Sequence, residues 1–319
     1  MNRRRLLSLA VLTSVGLPAF GQGQSPMRMV VPFTAGGSPD LIARFLAERL
    51  GATFNEAVVV ENIVGASGGI GTAQVARAAP DGRTVVLAST GPLTVNPVVS
   101  SVSYDPVRDL EPVILLGRSA LVLMVNKDLP VQTLQDLLAL ARSSPGKLSY
   151  ASAGSGNLTN LVGELLKLRT GVDILHVPYK GTAALKPDVL AGRISMFFDT
   201  APAALPLVQS GQVKALAVTT KNRAAVLPQV PSIAELGVDP EFDVSGWFAL
   251  LAPKNTPQTL IQPLNRQVQQ ILQSPEVTAK FGEWGIEAIG GPPGNLRELI
   301  DKELARWREV VRTAHIASH

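Results

Sequence analysis

The chain has 319 residues, of which 46% are apolar and 17% charged, a balance that suits well-packed cores and excludes a disordered protein. It has no cysteine, which excludes disulfides, thiolate metal sites, cysteine nucleophiles and a lipoprotein anchor. Its formal charge of +4 falls to +1 once Arg3, Arg4 and Arg5 are set aside, and no long basic run follows, so a nucleic-acid partner is not expected.

Those three arginines open the first recognisable segment. They precede an apolar stretch over residues 6–17 that is too short to span a bilayer, and Ala19 and Gly21 then stand three and one positions before a cleavage point. Residues 1–21 therefore read as a signal peptide, with the mature chain starting between 22 and 27 and the protein destined for the periplasm. Consecutive arginines also fit the twin-arginine route. No later apolar run reaches membrane-spanning length.

Beyond the leader, strand-like and helix-like stretches alternate, the signature of an α/β fold with mainly parallel strands. Residues 29–32 read as a strand and 40–50 as a helix, followed by a strand at 57–60, a helix at 71–78 and a strand at 84–88. A strand at 121–126 and a helix at 134–142 come next. Residues 147–151 lead into a helix at 158–169, and 174–177, 194–198 and 213–218 read as strands. After a strand at 247–252 the pattern becomes two long amphipathic helices, 257–281 and 294–313, with a short strand at 286–289 between them. The length favours two lobes. The strands at 121–126 and 247–252 are the expected crossings, dividing the chain into lobe 1 (26–120 plus 250–319) and lobe 2 (121–249, hinge crossings included).

Glycine-rich turns recur where strands give way to helices. In the first, Phe33-Thr34-Ala35-Gly36-Gly37-Ser38-Pro39-Asp40, Ser38 suits a helix cap, Pro39 the first helical position and Asp40 the positive first turn. Amide groups at such a helix start form an anion site without a cationic side chain. A second turn spans Gly65-Ala66-Ser67-Gly68-Gly69-Ile70-Gly71, and a third spans Ser152-Ala153-Gly154-Ser155-Gly156-Asn157-Leu158-Thr159. Ser89-Thr90-Gly91 and Asp199-Thr200-Ala201 end further strands, the position at which open α/β sheets bind ligands. Each turn alone also suits an ordinary connector, and Asp40 alone suits a helix start.

Enzymatic alternatives find few residues. Gly65, Gly68 and Gly71 resemble a dinucleotide turn, but the next strand ends in Ser89-Thr90 rather than in an acid, and no tyrosine has a lysine four residues on. Gly65-Ala66-Ser67-Gly68-Gly69 matches the Gly-x-Ser-x-Gly elbow of serine hydrolases. Of the three histidines, His315 and His319 are terminal, which leaves His176 as the base of an alternative Ser67–His176 hydrolase. Three scattered histidines do not make a metal site, and no cofactor is expected.

Taken together and in order, the motifs resemble the Bug-type extracytoplasmic solute receptors of tripartite tricarboxylate transporters. The resemblance runs from Met29 to Ile316. It is carried by Pro32-Phe33, Gly36-Gly37 and Asp40, then Glu61-Asn62 and Gly65-Ala66. Ala79-Pro80-Asp81-Gly82, Tyr150-Ala151-Ser152-Ala153-Gly154-Ser155-Gly156 and His176-Val177-Pro178-Tyr179-Lys180-Gly181 continue it, followed by Phe198-Asp199 and Trp247. It implies a two-lobed type II periplasmic-binding-protein fold, two Rossmann-like lobes joined by a two-strand hinge. It further implies a non-enzymatic monomer that captures a small carboxylate (a di- or tricarboxylate, an amino acid or an aromatic acid) and delivers it to integral membrane permease subunits. A sensory role uses the same fold. The resemblance assigns Phe33, Ala35, Gly36, Gly37 and Ser38 to one side of the ligand and Ser152, Gly154, Gly156 and Thr159 to the other, with Thr90 and Asp199 on the remaining wall. The sequence departs from the family pattern at Ile63-Val64, Asn160 and Ala183-Ala184, and Asn160 stands on the helix opened by the third turn.

Overall fold

The structure, a computed structural model, describes residues 26–316; the expected signal peptide lies outside them. Strand β1 (Met27–Val31) leads through the first glycine turn into helix α1 (Ser38–Phe54), which buries Ile42, Ala43, Leu46 and Leu50 and stops at Asn55, in the left-handed conformation at φ 51°. Strand β2 (Val58–Asn62), helix α2 (Gly69–Ala76) and strand β3 (Thr84–Ser89) follow, and β1 pairs in parallel with both β2 and β3. A π-helical turn at Gly91–Val95 runs into the short helix α3 (Asn96–Val99).

Strand β4 (Leu110–Asn126) is the spine of the molecule. It is buried almost throughout, as expected of a strand covered on both faces. Helix α4 (Leu134–Ser143), strand β5 (Ser149–Ser152), helix α5 (Leu158–Thr170), strand β6 (Leu175–Pro178), helix α6 (Thr182–Leu190), strand β7 (Met196–Thr200), helix α7 (Ala201–Gln209) and strand β8 (Val213–Val218) complete the middle of the chain. Strand β9 (Ser245–Pro253), helices α8 (Gln258–Gln273) and α9 (Pro275–Glu283), strand β10 (Glu287–Ala288) and helix α10 (Pro293–Thr313) end it.

The strand order β2-β1-β3-β9-β4-β7-β5-β6 runs through both lobes. Up to Ala120, β4 pairs with β9; from Leu121 it pairs with β7, and its far half also pairs with β8. Just ahead of β9 the Val244 N–H donates to the Thr219 carbonyl, and Ser245 stands opposite Ala120. Residues 247–252, expected as a crossing, pair with β4, and 248–251 also pair with β3.

Four elements differ from the sequence pattern for identifiable reasons. Strand β4 begins at Leu110 because register shifts absorb its irregular first half, and a Cβ at Gly117 would lie 2.6 Å from the Glu287 carbonyl oxygen. The expected helix at 257–281 is two helices, since Ser274 caps α9 through the Val277 amide and Pro275 occupies its first turn. Helices α6 and α7 carry Pro187 and Pro206 in their interiors, which masks them in the sequence.

Helix α10 belongs to both lobes. Its Leu296, Ile300 and Leu304 join the core around Val86, Trp247 and Leu251, whereas its Trp307 and Val310 join the core around Leu121, Leu123, Tyr150 and Phe198. Among the described residues, no helix is long and apolar enough to cross a membrane.

Candidate functional site

Strand ends from both lobes meet at a cleft of about 620 Å³. Ser89, Thr90, Gly91, Gly246, Trp247 and Phe248 form its floor. Phe33, Ser67, Asn96 and Ser100 stand on the first-lobe side, and Gly154, Ser155, Gly156, Asn157 and Thr200 on the second. Among the described residues lining it, none is charged. Its polarity comes from hydroxyls, side-chain amides and backbone groups.

The two opposed turns share one device. Each has a glycine in the left-handed region whose N–H donates to the side chain four residues on. In the first lobe Gly36 (φ +83°) donates to Asp40 Oδ2 at 2.9 Å; in the second Gly156 (φ +69°) donates to Asn160 Oδ1 at 2.9 Å. Asp40 also accepts from Arg44 Nε (3.0 Å) and from Asn62 Nδ2 (2.9 Å), which itself reaches the Phe33 carbonyl. Burial pushes the Asp40 carboxyl up, but the hydrogen bonds from Arg44, Gly36 and Asn62 outweigh it and hold the group down at about 2.

On the second-lobe side Asn160 Nδ2 donates to the Tyr150 hydroxyl, which donates to Glu164 Oε1 at 2.6 Å, and the Tyr150 ring stacks on His176 with centroids 4.8 Å apart. The Ala153 amide donates to Thr159 Oγ1 (3.0 Å), and the Gly154 amide to Ser152 Oγ (3.2 Å), which lies 2.7 Å from His176 Nε2. Burial pushes the His176 imidazole below its ordinary value, and Lys167 adds to that, while Glu164 opposes it.

Of the residues the sequence singles out, Phe33, Thr90, Gly154 and Gly156 line the cleft. Ala35, Gly36 and Ser38 are exposed on the first turn, and Gly37 there is half-buried. Ser152 and Thr159 sit behind the second turn and fasten its amides. Asp199 is buried at the end of β7; its Oδ1 accepts the Thr200 amide and its Oδ2 meets no donor, and burial raises its carboxyl above the ordinary range. Asn160, noted in the sequence as a departure, pins the Gly156 amide. Ser67 lines the cleft in a left-handed conformation (φ 51°) with its carbonyl held by Asn96 Nδ2, while His176 pairs with Ser152, so the Ser67–His176 hydrolase pair does not form.

Other lining residues, Asn96, Ser100, Asn157, Thr200 and Trp247 among them, were not picked out as site residues by the sequence. Of these, Asn157 and Thr200 lie within motifs that were singled out, so position at a strand end was the available signal.

Comparison with known proteins agrees with this architecture. Residues 42–316 match the model of the tripartite tricarboxylate transporter family receptor. Protein BugT of Bordetella pertussis is 38% identical over 320 residues, covering 98% of both chains. Among solved structures, Rpa4515 of R. palustris with adipate superposes with a TM-score of 0.78 at 39% identity, covering 92% of this chain and 98% of that one. MatC of Rhodopseudomonas palustris with bound malate superposes with a TM-score of 0.73 at 30% identity, covering 90% and 98%. Two lobes of the periplasmic-binding type, a cleft walled by glycine turns from each, and likeness over nearly the whole chain lead to one assignment: the chain belongs to the tripartite tricarboxylate transporter receptor family, whose members are solute-binding proteins rather than enzymes.

Proposed function

We propose that the chain is a periplasmic receptor that captures a small carboxylate between its lobes, dicarboxylates first among the candidates, and offers the closed form to membrane permease subunits. One observation carries the reading: a cleft whose lining is neutral but rich in hydroxyls and amides, with no carboxylate to repel an anion. Similar solved structures with adipate and with bound malate support it. In this reading Phe33, Thr90, Gly154 and Gly156 face the ligand, and Ala35, Gly36, Gly37 and Ser38 reach it from the rim. Ser152, Thr159 and Asp199 fix the wall behind it.

In this reading the lobes, 26–120 with 250–319 and 121–249 as the sequence suggests, move about the hinge strands β4 and β9, with α10 packed into a core on either side. Closure follows because the ligand touches both lobes in one state only. A thermal-shift panel of mono-, di- and tricarboxylates, amino acids and aromatic acids tests this. An acid present at 100 times its Kd stabilises the protein by about 2.7 kcal/mol. A panel in which no acid raises the melting temperature defeats carboxylate capture.

A further inference from the structure

Behind the cleft floor lies a buried carboxyl that the binding scheme above does not use. Glu303, on α10 between Ile300 and Leu304 of the core around Trp247, is 3% exposed. Its Oε2 lies 2.9 Å from Thr94 Oγ1 and accepts the Trp247 indole N–H at 3.0 Å. Both partners lead straight to the cleft. Trp247 lines it, and its backbone N–H donates to Thr90 Oγ1 at 2.9 Å; Thr94 Oγ1 lies 3.0 Å from the Thr90 carbonyl.

The hydrogen count at Thr94 is the informative point. Its hydroxyl has one proton and two acceptors in range, Thr90 O and Glu303 Oε2. With Glu303 ionised, the hydroxyl serves only one of them fully. With Glu303 protonated, the carboxylic acid donates to Thr94 Oγ1 and Thr94 donates to Thr90 O, so the Thr94 hydroxyl, the Thr90 carbonyl and Glu303 Oε2 are all satisfied. The surroundings favour the same state. Burial pushes the Glu303 carboxyl up to about 7, against the hydrogen bonds from Thr94 and Trp247 and the charge of Arg306, with the buried Trp307 indole N–H also favouring the charge. The charged groups facing it are few. A cavity of about 120 Å³ beside it is lined by Lys302 and Arg306 of α10, Arg118 of β4 and Asp243 before β9, and Arg306 is turned to the Asp243 carbonyl.

We propose that Glu303 is a proton-binding site coupled to the ligand site, so that the receptor takes up a proton as it takes up a carboxylate. The proposal rests on the carboxylate reading, because its driving force is the repulsion between an anion in the cleft and an ionised Glu303 one side chain behind it. The bound anion raises the affinity of Glu303 for a proton. Ligand affinity is therefore highest where Glu303 is already protonated, and it declines as pH rises through neutrality until Glu303 is ionised in the complex as well.

Calorimetric titration of the full-length mature protein with adipate and with malate, between about pH 6.5 and 9 where both probes stay fully ionised, tests it. The expected result is an affinity about three- to tenfold weaker at the alkaline end, with proton uptake visible as a dependence of the binding heat on buffer ionisation enthalpy. Glu303→Gln is expected to bind with neither the pH dependence nor the proton uptake. Trp247→Phe removes the indole donor that favours the carboxylate over the acid and is expected to move the transition to higher pH, a second readout should the Gln variant fold poorly. Burial lowers the proton affinity of His176, and the Glu303→Gln variant keeps this imidazole, so a pH dependence that came from His176 would persist in that variant. Binding whose affinity and heat are indifferent to pH and buffer overturns the proton site and leaves carboxylate capture standing. Failure of both acids to bind at any pH overturns both.

Discussion

At the scale of single residues, the two glycine turns depend on side chains that lie outside the cleft lining. Asp40 is the clearest case. It reads in the sequence as a helix-start acid, and it is also the acceptor that closes the Gly36 turn and gathers Arg44 and Asn62. Asp40→Asn keeps the shape and removes the charge, so it is expected to destabilise the protein by about 1–2 kcal/mol at pH 7. The carboxyl is held at about 2 in the folded protein, below its value of 3.8 when unperturbed. Its contribution is thus fully present above about pH 4 and fades as pH falls toward 2. Urea unfolding of both proteins across that range checks the sign: the gap should close on acidification, and a gap that widens refutes the assignment. The sequence made these residues visible by type and spacing. It could not show that Ser152, Thr159 and Asn160 turn inward to amides of their own turn, because that depends on how the turn closes upon Tyr150 and His176.

At the scale of elements, α10 does two jobs with one amphipathic stripe. The stripe was legible from the spacing of Leu296, Ile300, Leu304 and Trp307, but a periodic pattern says only that a face is buried, not that two different cores share it. Trp307 is fully buried with Tyr150 and Phe198 in the second-lobe core, so Trp307→Ala is expected to cost about 3–5 kcal/mol. Its effect should also be regional. Amide hydrogen exchange is expected to rise in α5 and β7, which pack around it, before it rises in β1 or α1. Uniform loss of protection across both lobes would mean that α10 does not hold the second lobe separately. The same limit explains the elements hidden from the sequence. Pro187 and Pro206 disguised α6 and α7, and Gly117 with its register shifts disguised the first half of β4. In each case tertiary packing overrides a local signal that reads as interruption.

At the scale of the whole molecule, the proposed carboxylate capture raises the question of what attracts an anion to a chain that is nearly neutral beyond residue 21. Two mechanisms are available: a cationic side chain or field that draws the ligand in, or fixed dipoles that grip it only on contact. The first predicts strong screening by salt, because charge–charge attraction weakens over a Debye length of about 8 Å at physiological ionic strength. The second predicts little screening, since amide and hydroxyl donors act over the first contact distance. The cleft supports the second. No charged side chain is among its described lining residues, Arg44 is committed to Asp40, and Arg28 to Glu61 on the outer strands. Raising ionic strength from about 0.01 M to 0.15 M is therefore expected to change dicarboxylate affinity by less than about threefold. Calorimetry at the two salt concentrations, at one pH so that Glu303 is not also titrated, measures this directly. A loss of tenfold or more would mean that a cation enters the site on closure. Lys180, exposed beside the Gly154 turn, would then be the first residue to replace.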